Sequence, residues 1–341
     1  MHAIEIKNGE HRFAYNGQNG GTWHGLGTRV EGYSTVNDML VAAIANWSVE
    51  KQPLYVQAPN GVDLVEVPNK VATVRVEHTL NADGVDTEYA PLGVVGKDYA
   101  VEQNLDAALW AVDLVGASGG DAVIDTMGVL HDGREFFVGV DLGTLVLDPD
   151  GIGDVIKRYL VVRNRHDGTS SLCAFPTMTR VVCHNTLTAA WGGAKRSSQI
   201  HNVRHTSGKD NRKAEAVQAM GIAQAISDKF IESAGAMMEV SGGHDMLDLV
   251  INTLWEKPNA TASDRTRTIW GNRRSKIHNL YDADTNAGGF GDSGWTVWNS
   301  VGEYLDHSRK NATKQAIASL DPMSEDARLK DKAFERVLSF A

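Results

Sequence analysis

Val123-Ile124-Asp125-Thr126-Met127-Gly128-Val129-Leu130-His131-Asp132-Gly133-Arg134-Glu135-Phe136-Phe137-Val138-Gly139-Val140-Asp141-Leu142 is the stretch from which the fold is read. β-Branched and aromatic residues flank an Asp-Gly pair, and that pair suits the positive-φ positions of a tight turn, so Ala122–Leu130 and Glu135–Leu142 are predicted to form a hairpin. The recipe recurs at Tyr159–Asn164, the turn Arg165-His166-Asp167-Gly168-Thr169, and Ser170–Phe175, closed by Pro176. Both tips contain His-Asp-Gly. Turn chemistry accounts for that tripeptide without a ligand.

Just before the first hairpin, Asn104–Ala117 carries Leu105, Ala108, Leu109, Val112 and Val115 at helical spacing and ends at Gly119-Gly120, which predicts a helix packed on the hairpins. Leu54–Gln57, Lys70–His78 and Glu88–Val95 read as a three-strand meander, with turn signals at Asn60-Gly61 and Asp83-Gly84. Ser34-Thr35 opens a short helix through Met39, Leu40, Ala43, Ile44 and Trp47. The glycine-rich residues 1–34 read as an irregular arm outside the core. Downstream, Ser198–His205 reads as a short extended segment, and helices are expected near 209–239, 244–256, 261–280, 294–307 and 324–338. The fold class is therefore α+β: a β-rich central core of hairpins with a packed helix (35–208), followed by a helical C-terminal half (209–341).

The composition, 341 residues with 42% hydrophobic and 22% charged, excludes collagen, wholesale disorder and a disulfide scaffold. No apolar run approaches the roughly 18 residues of a membrane span, and no signal-peptide layout opens the chain. A cytoplasmic protein without membrane partners is expected, with Cys173 and Cys183 as free thiols.

Charge is segregated. Residues 1–150 hold 8 basic and 22 acidic side chains, residues 151–213 hold 11 and 3, and the whole chain is −10. The middle segment includes Arg163, Arg165, Lys195, Arg196, Arg204, Lys209, Arg212 and Lys213, and a second cluster holds Arg273, Arg274 and Lys276. Brought together, these would neutralise phosphates along a groove. Arg suits such a role because its planar fork grips phosphate oxygens in pairs. Tyr159 and Trp191 are the candidates for stacking on bases. Ordinary core packing and solvated faces are the competing explanation for both sets.

Catalytic patterns are sparse. Gly96-Lys97-Asp98 and Gly208-Lys209-Asp210 put aspartate where a phosphate-binding loop needs Ser or Thr, so no Walker-type ATPase is expected. Gly291-Asp292-Ser293-Gly294 resembles a trypsin-like nucleophile segment, but Ser293 precedes a helical stretch and reads as an N-cap. Adjacent Cys183 and His184 would point to opposite faces of a strand. Two isolated cysteines and no His-Glu-x-x-His argue against zinc, so neither a metal site, a cofactor nor a catalytic residue is expected.

Four motifs in order, Met1-His2 with Trp23-His24-Gly25-Leu26-Gly27-Thr28, Asn164-Arg165-His166-Asp167-Gly168, Arg180-Val181-Val182-Cys183-His184-Asn185-Thr186-Leu187 and Arg204-His205-Thr206, resemble a domain-of-unknown-function family common in phage and plasmid genomes. In inferred topology, helix, hairpin, further strands and a long helix, the chain is more distantly similar to the Rad-fifty-two-like single-strand annealing proteins. That resemblance implies rings or filaments that bind single-stranded DNA along a basic groove and anneal it without ATP. The absent nucleotide loop and the basic middle segment agree with it; the net acidity would have to lie off the groove. A single-stranded DNA-binding and annealing homo-oligomer of phage recombination or replication is thus the expected function. The alternatives are a phage-encoded protein-binding or structural factor using Trp255, Trp270, Trp295 and Trp298, and a metal-dependent nuclease.

Overall fold

The computed structural model describes residues 4–17, 26–32, 35–81, 84–117, 123–147, 153–180, 201–211, 213–214, 222–283, 291–309 and 325–341. Among these, the two expected hairpins form: β8 (Val123–Leu130) pairs antiparallel with β9 (Glu135–Leu147), and β10 (Asp154–Arg165) with β11 (Leu172–Arg180). They are the middle of a seven-stranded sheet ordered β12 (His201–Val203), β11, β10, β9, β8, β3 (Phe13–Asn16), β4 (Thr28–Val30). The period-2 alternation of each strand sends Met127, Val129, Phe136, Val138, Val140, Leu160, Val162, Leu172 and Ala174 into one core. Helix α2 (Asn104–Gly116) lies on that core through Ala107, Ala108, Trp110, Ala111, Leu114 and Val115. Its alanines let helix and sheet approach closely. Helix α1 (Val36–Ala42), begun by a capping box between Thr35 and Asp38, adds Met39 and Leu40.

The N-terminal arm differs from expectation: β1 (Ile6–Lys7) and β2 (Glu10–His11) pair antiparallel, and the next strand joins the main sheet. Phe13 and Ala14 are buried, and β3 inserts between β8 and β4, pairing antiparallel with the first and parallel with the second. The parallel contact depends on Gly27, at φ +92°, because a Cβ there would sit 2.5 Å from the Phe13 ring and carbonyl. Apolar residues scattered among glycines carry no periodicity, so the strand is invisible locally.

The meander forms as a separate antiparallel sheet, β5 (Ser48–Gln57), β6 (Leu64–Asn81) and β7 (Gly84–Gly96). Charged residues dock it. Arg12, fully buried, donates to Glu77 at 2.6 Å and to the Ile44 carbonyl; Arg75 reaches Glu5 at 2.8 Å; Lys7 bridges Glu77 and Glu88 at 2.9 Å each. The Gln103 side chain bonds both the N–H and the carbonyl of Val49, acting as a strand fragment on the β5 edge.

The helical half comprises α3 (Ile222–Glu239), α4 (His244–Leu254), α5 (Asp264–Tyr281), α6 (Gly294–Glu303) continued by a π turn (Tyr304–Ser308), and α7 (Glu325–Leu338). Their core surrounds Trp295 and Trp298 and takes in Leu147 and Ile156 from the far ends of β9 and β10. Ser293 caps α6 by accepting from the Thr296 N–H, as its place before the helix predicts. The tryptophan-rich tail is thereby accounted for: Trp295 and Trp298 are core, and Trp255 and Trp270 pack against it. Cys173 is a buried free thiol, whereas Cys183 and His184 lie outside the described residues.

Candidate nucleic-acid interface

Three segments meet at one end of α2: its start (Glu102, Asn104), the tip of the second hairpin (Arg163–Thr169) and the stretch 203–213. Each brings a residue that the others complete. The Asn104 amide donates to the Ala45 carbonyl, which leaves its Oδ1 to accept the Nε2–H of His166 at 2.9 Å. That makes Nδ1 of His166 the unprotonated nitrogen, facing the Asn164 amide at 3.5 Å. The same amide donates to the Glu102 carbonyl at 3.0 Å. Complete burial, with His205 nearby, holds the His166 imidazole down to about 3 against the opposing pull of Asp167, so this ring is neutral at pH 7. Its hydroxyl neighbour Thr73 donates to the His166 carbonyl at 2.8 Å, tying the tip to the small sheet.

Tyr99 closes the group from the other side. Its hydroxyl donates to the Arg165 carbonyl at 2.8 Å, and its ring stacks on His205 at 4.6 Å between centroids. Burial, then Asp167 and Glu102, push the Tyr99 hydroxyl well above the usual phenol range. Burial likewise lowers His205, whose Nδ1–H donates to the Ala100 carbonyl at 3.1 Å. Sequence reasoning missed Tyr99, Glu102 and Asn104, because nothing local distinguishes them from ordinary helix-start residues.

The cations gather on this scaffold. Glu102, with no exposed carboxylate surface, accepts from both Lys209 and Lys213, the latter at 2.6 Å. Glu135 accepts from Arg163 at 2.6 Å and from Arg165 at 3.0 Å, and Arg165 also reaches Asp167 at 2.8 Å. Burial raises the Asp167 carboxyl, but bonds from Arg165 and Thr169 overrule it and hold the group at about 2. Four cations, Arg163, Arg165, Lys209 and Lys213, thus interleave with Glu102, Glu135 and Asp167, and exposed Asp210 lies 3.9 Å from Lys209. Arg204, exposed, follows β12 on the same segment.

Residues 91–333 match the family described as a domain of unknown function, DUF932. This chain belongs to the DUF932 family. The DUF932 match starts within β7 and ends in α7, so it contains α2, both hairpins and most of the helical half. Comparison with curated proteins and with solved structures returns no match. Within the DUF932 region the remaining predicted residues fall apart from the gathering at α2. Arg274 is held by both oxygens of Asp248 at 2.6 Å, Arg273 lies 4.5 Å over the Trp255 ring, and Lys276 donates to the Ser308 carbonyl at 2.7 Å. All three sit on α5, in the helical half. Tyr159 is half-buried on β10 and bonded to Asp125; burial and the carboxylates of Asp125 and Asp141 push its hydroxyl up, and those charges make its surroundings hostile to phosphate. Lys195, Arg196, Arg212 and Trp191 lie outside the described residues.

Proposed function

We propose that this DUF932 protein binds single-stranded DNA through the basic surface beside α2 and anneals complementary strands without ATP, as a homo-oligomer of a phage-type recombination or replication system. The observation that supports this is the convergence of Arg163 and Arg165 from the hairpin tip with Lys209 and Lys213 from a segment more than forty residues on, with exposed Arg204 on that same segment. Residues 151–213 carry 11 basic against 3 acidic side chains in a chain of net charge −10, and such segregation is what a phosphate-tracking surface requires. The buried ion pairs set the geometry of the surface, and Arg204 lies at its exposed margin where a phosphate can reach it.

The test is a titration of a fluorescent single-stranded oligonucleotide at several salt concentrations, with an annealing readout on complementary strands. Six neutralised phosphates give a log–log salt slope of about −4. The double change Arg204→Glu/Arg212→Glu lowers affinity and flattens the slope. A wild-type slope near zero, or no binding at micromolar protein, rejects the proposal.

A further inference from the structure

The three-stranded sheet has two unlike faces. Val49, Thr73, Glu77 and Leu92 point toward the main body and are buried there. The pairings Ala72↔Val94, Val74↔Pro91, Val76↔Tyr89, His78↔Thr87 and Leu80↔Val85 place the alternate residues of β6 and β7 on the opposite face. That face is a largely apolar strip, with Leu80 82%, Tyr89 70%, Val85 66% and Val94 52% exposed, Val76 buried at its middle, and one polar rung, His78 bonded to Thr87 at 2.9 Å, between Tyr89 and the Leu80–Val85 end. A polar margin of Glu50 and Gln52 borders it on β5, where Ser48, Glu50 and Gln52 pair with Val76, Val74 and Ala72.

We propose that this strip is the contact through which two copies of the chain pair face to face about a two-fold axis. Three features favour a second copy as the occupant. The four most exposed side chains offer on the order of 500 Å² and, with Ala72, Val74, Pro91 and the His78–Thr87 rung between them, approach the ~800 Å² that each partner contributes to a standard interface. The strip holds no Asp, Glu, Lys or Arg, although residues 1–150 carry 22 acidic against 8 basic side chains, so it is where two acidic copies can meet without repulsion. An isologous contact needs a self-complementary surface, and a β-branched sheet face stacked on its own copy at ~10 Å is one. The strip lies almost entirely before residue 91, outside the family match, so the pairing belongs to this chain's own N-terminal sheet. It names a surface for the self-association included in the annealing proposal and in that respect rests on it; the geometry stands without DNA.

The experiment is sedimentation velocity with light-scattering mass on the full chain, without DNA, from about 1 to 50 µM. Wild type is expected at twice the chain mass. Leu80→Glu/Tyr89→Glu is expected to raise the dissociation constant more than ~100-fold, because like charges meet at the centre of the contact. Val62→Glu, at a hairpin tip 82% exposed and off the strip, is the control and stays dimeric. Circular dichroism is expected to be unchanged, since both substituted side chains face solvent in the single chain, while the melting temperature of wild type, but not of the variant, rises with protein concentration; if the double variant loses its wild-type spectrum, Val94→Arg takes its place. A wild-type monomer across the range, or a dimer that the strip variants leave intact, overturns the inference. A monomer that binds DNA with steep salt dependence defeats the pairing alone, and a dimer that ignores DNA defeats the annealing proposal alone.

Discussion

His166 donates its Nε2–H to Oδ1 of Asn104 across 2.9 Å, joining the tip of the second hairpin to the first residue of α2. The matching histidine of the first hairpin, His131, stays at the surface with φ +55°, its Nε2 3.7 Å from Glu135. One tripeptide, His-Asp-Gly, therefore serves as a plain turn in one place and as a buried polar joint in the other. What separates them is whether a helix start lies against the tip.

Burial of His166 makes folding acid-sensitive. The folded group titrates at about 3, against 6.5 for the ordinary imidazole, so between those values the unfolded chain binds a proton that the native chain refuses. Stability is complete above about pH 6.5 and falls as pH drops toward 3, at up to ~1.4 kcal/mol per pH unit for one proton. Asp167, held at about 2, adds a loss in the same direction below its ordinary 3.8. Urea midpoints from pH 7.5 to 4.5 check this, and His166→Gln is expected to flatten the curve whatever its stability at pH 7.

Glu102 bridges Lys209 and Lys213, and Lys209 also lies 3.9 Å from Asp210. Glu102→Gln is expected to destabilise the fold by about 3 kcal/mol, since it leaves two nearly buried ammonium groups facing a neutral amide. Denaturant unfolding measures the loss. Combining Glu102→Leu with Lys209→Met and Lys213→Met is expected to restore most of it.

In the helical half, Lys330 and Asp306 are each 1% exposed and bonded at 2.6 Å, linking α7 to the π turn. Lys330→Met alone is expected to cost about 3–5 kcal/mol by stranding a buried carboxylate, whereas Lys330→Met with Asp306→Leu is expected to be near neutral. A double-mutant cycle on melting curves gives the coupling.

Arg204 and Arg274 separate the two basic clusters. Arg204→Glu is expected to weaken single-strand binding about tenfold or more, because it reverses an exposed charge beside α2, and Arg274→Ala to leave it within about twofold, because Arg274 lies on α5 and is held by both oxygens of Asp248. Fluorescence anisotropy at low salt decides it. An Arg274 loss as large as that of Arg204 would put α5 on the DNA path.

Much of the fold follows from local rules. Turn residues set both hairpins and the meander, helical periodicity set α2 and the helices from His244 onward, and Thr35 and Ser293 cap the helices they precede. These signals act over a few residues, so one chain carries them. Strand β3 escaped because it draws on Gly27 and Gly128, partners without a pattern of their own. The basic residues were visible as a composition, but their environment was not: Lys209 and Lys213 meet Glu102 more than a hundred positions away, and Arg163 meets Glu135 across β10 and β9. Local sequence thus carries the kinds of elements, their order and the segregation of charge. Tertiary structure alone decided which cations are neutralised, which histidine is buried and which sheet face is left apolar, because ion pairing and burial depend on residues that only the folded chain brings together.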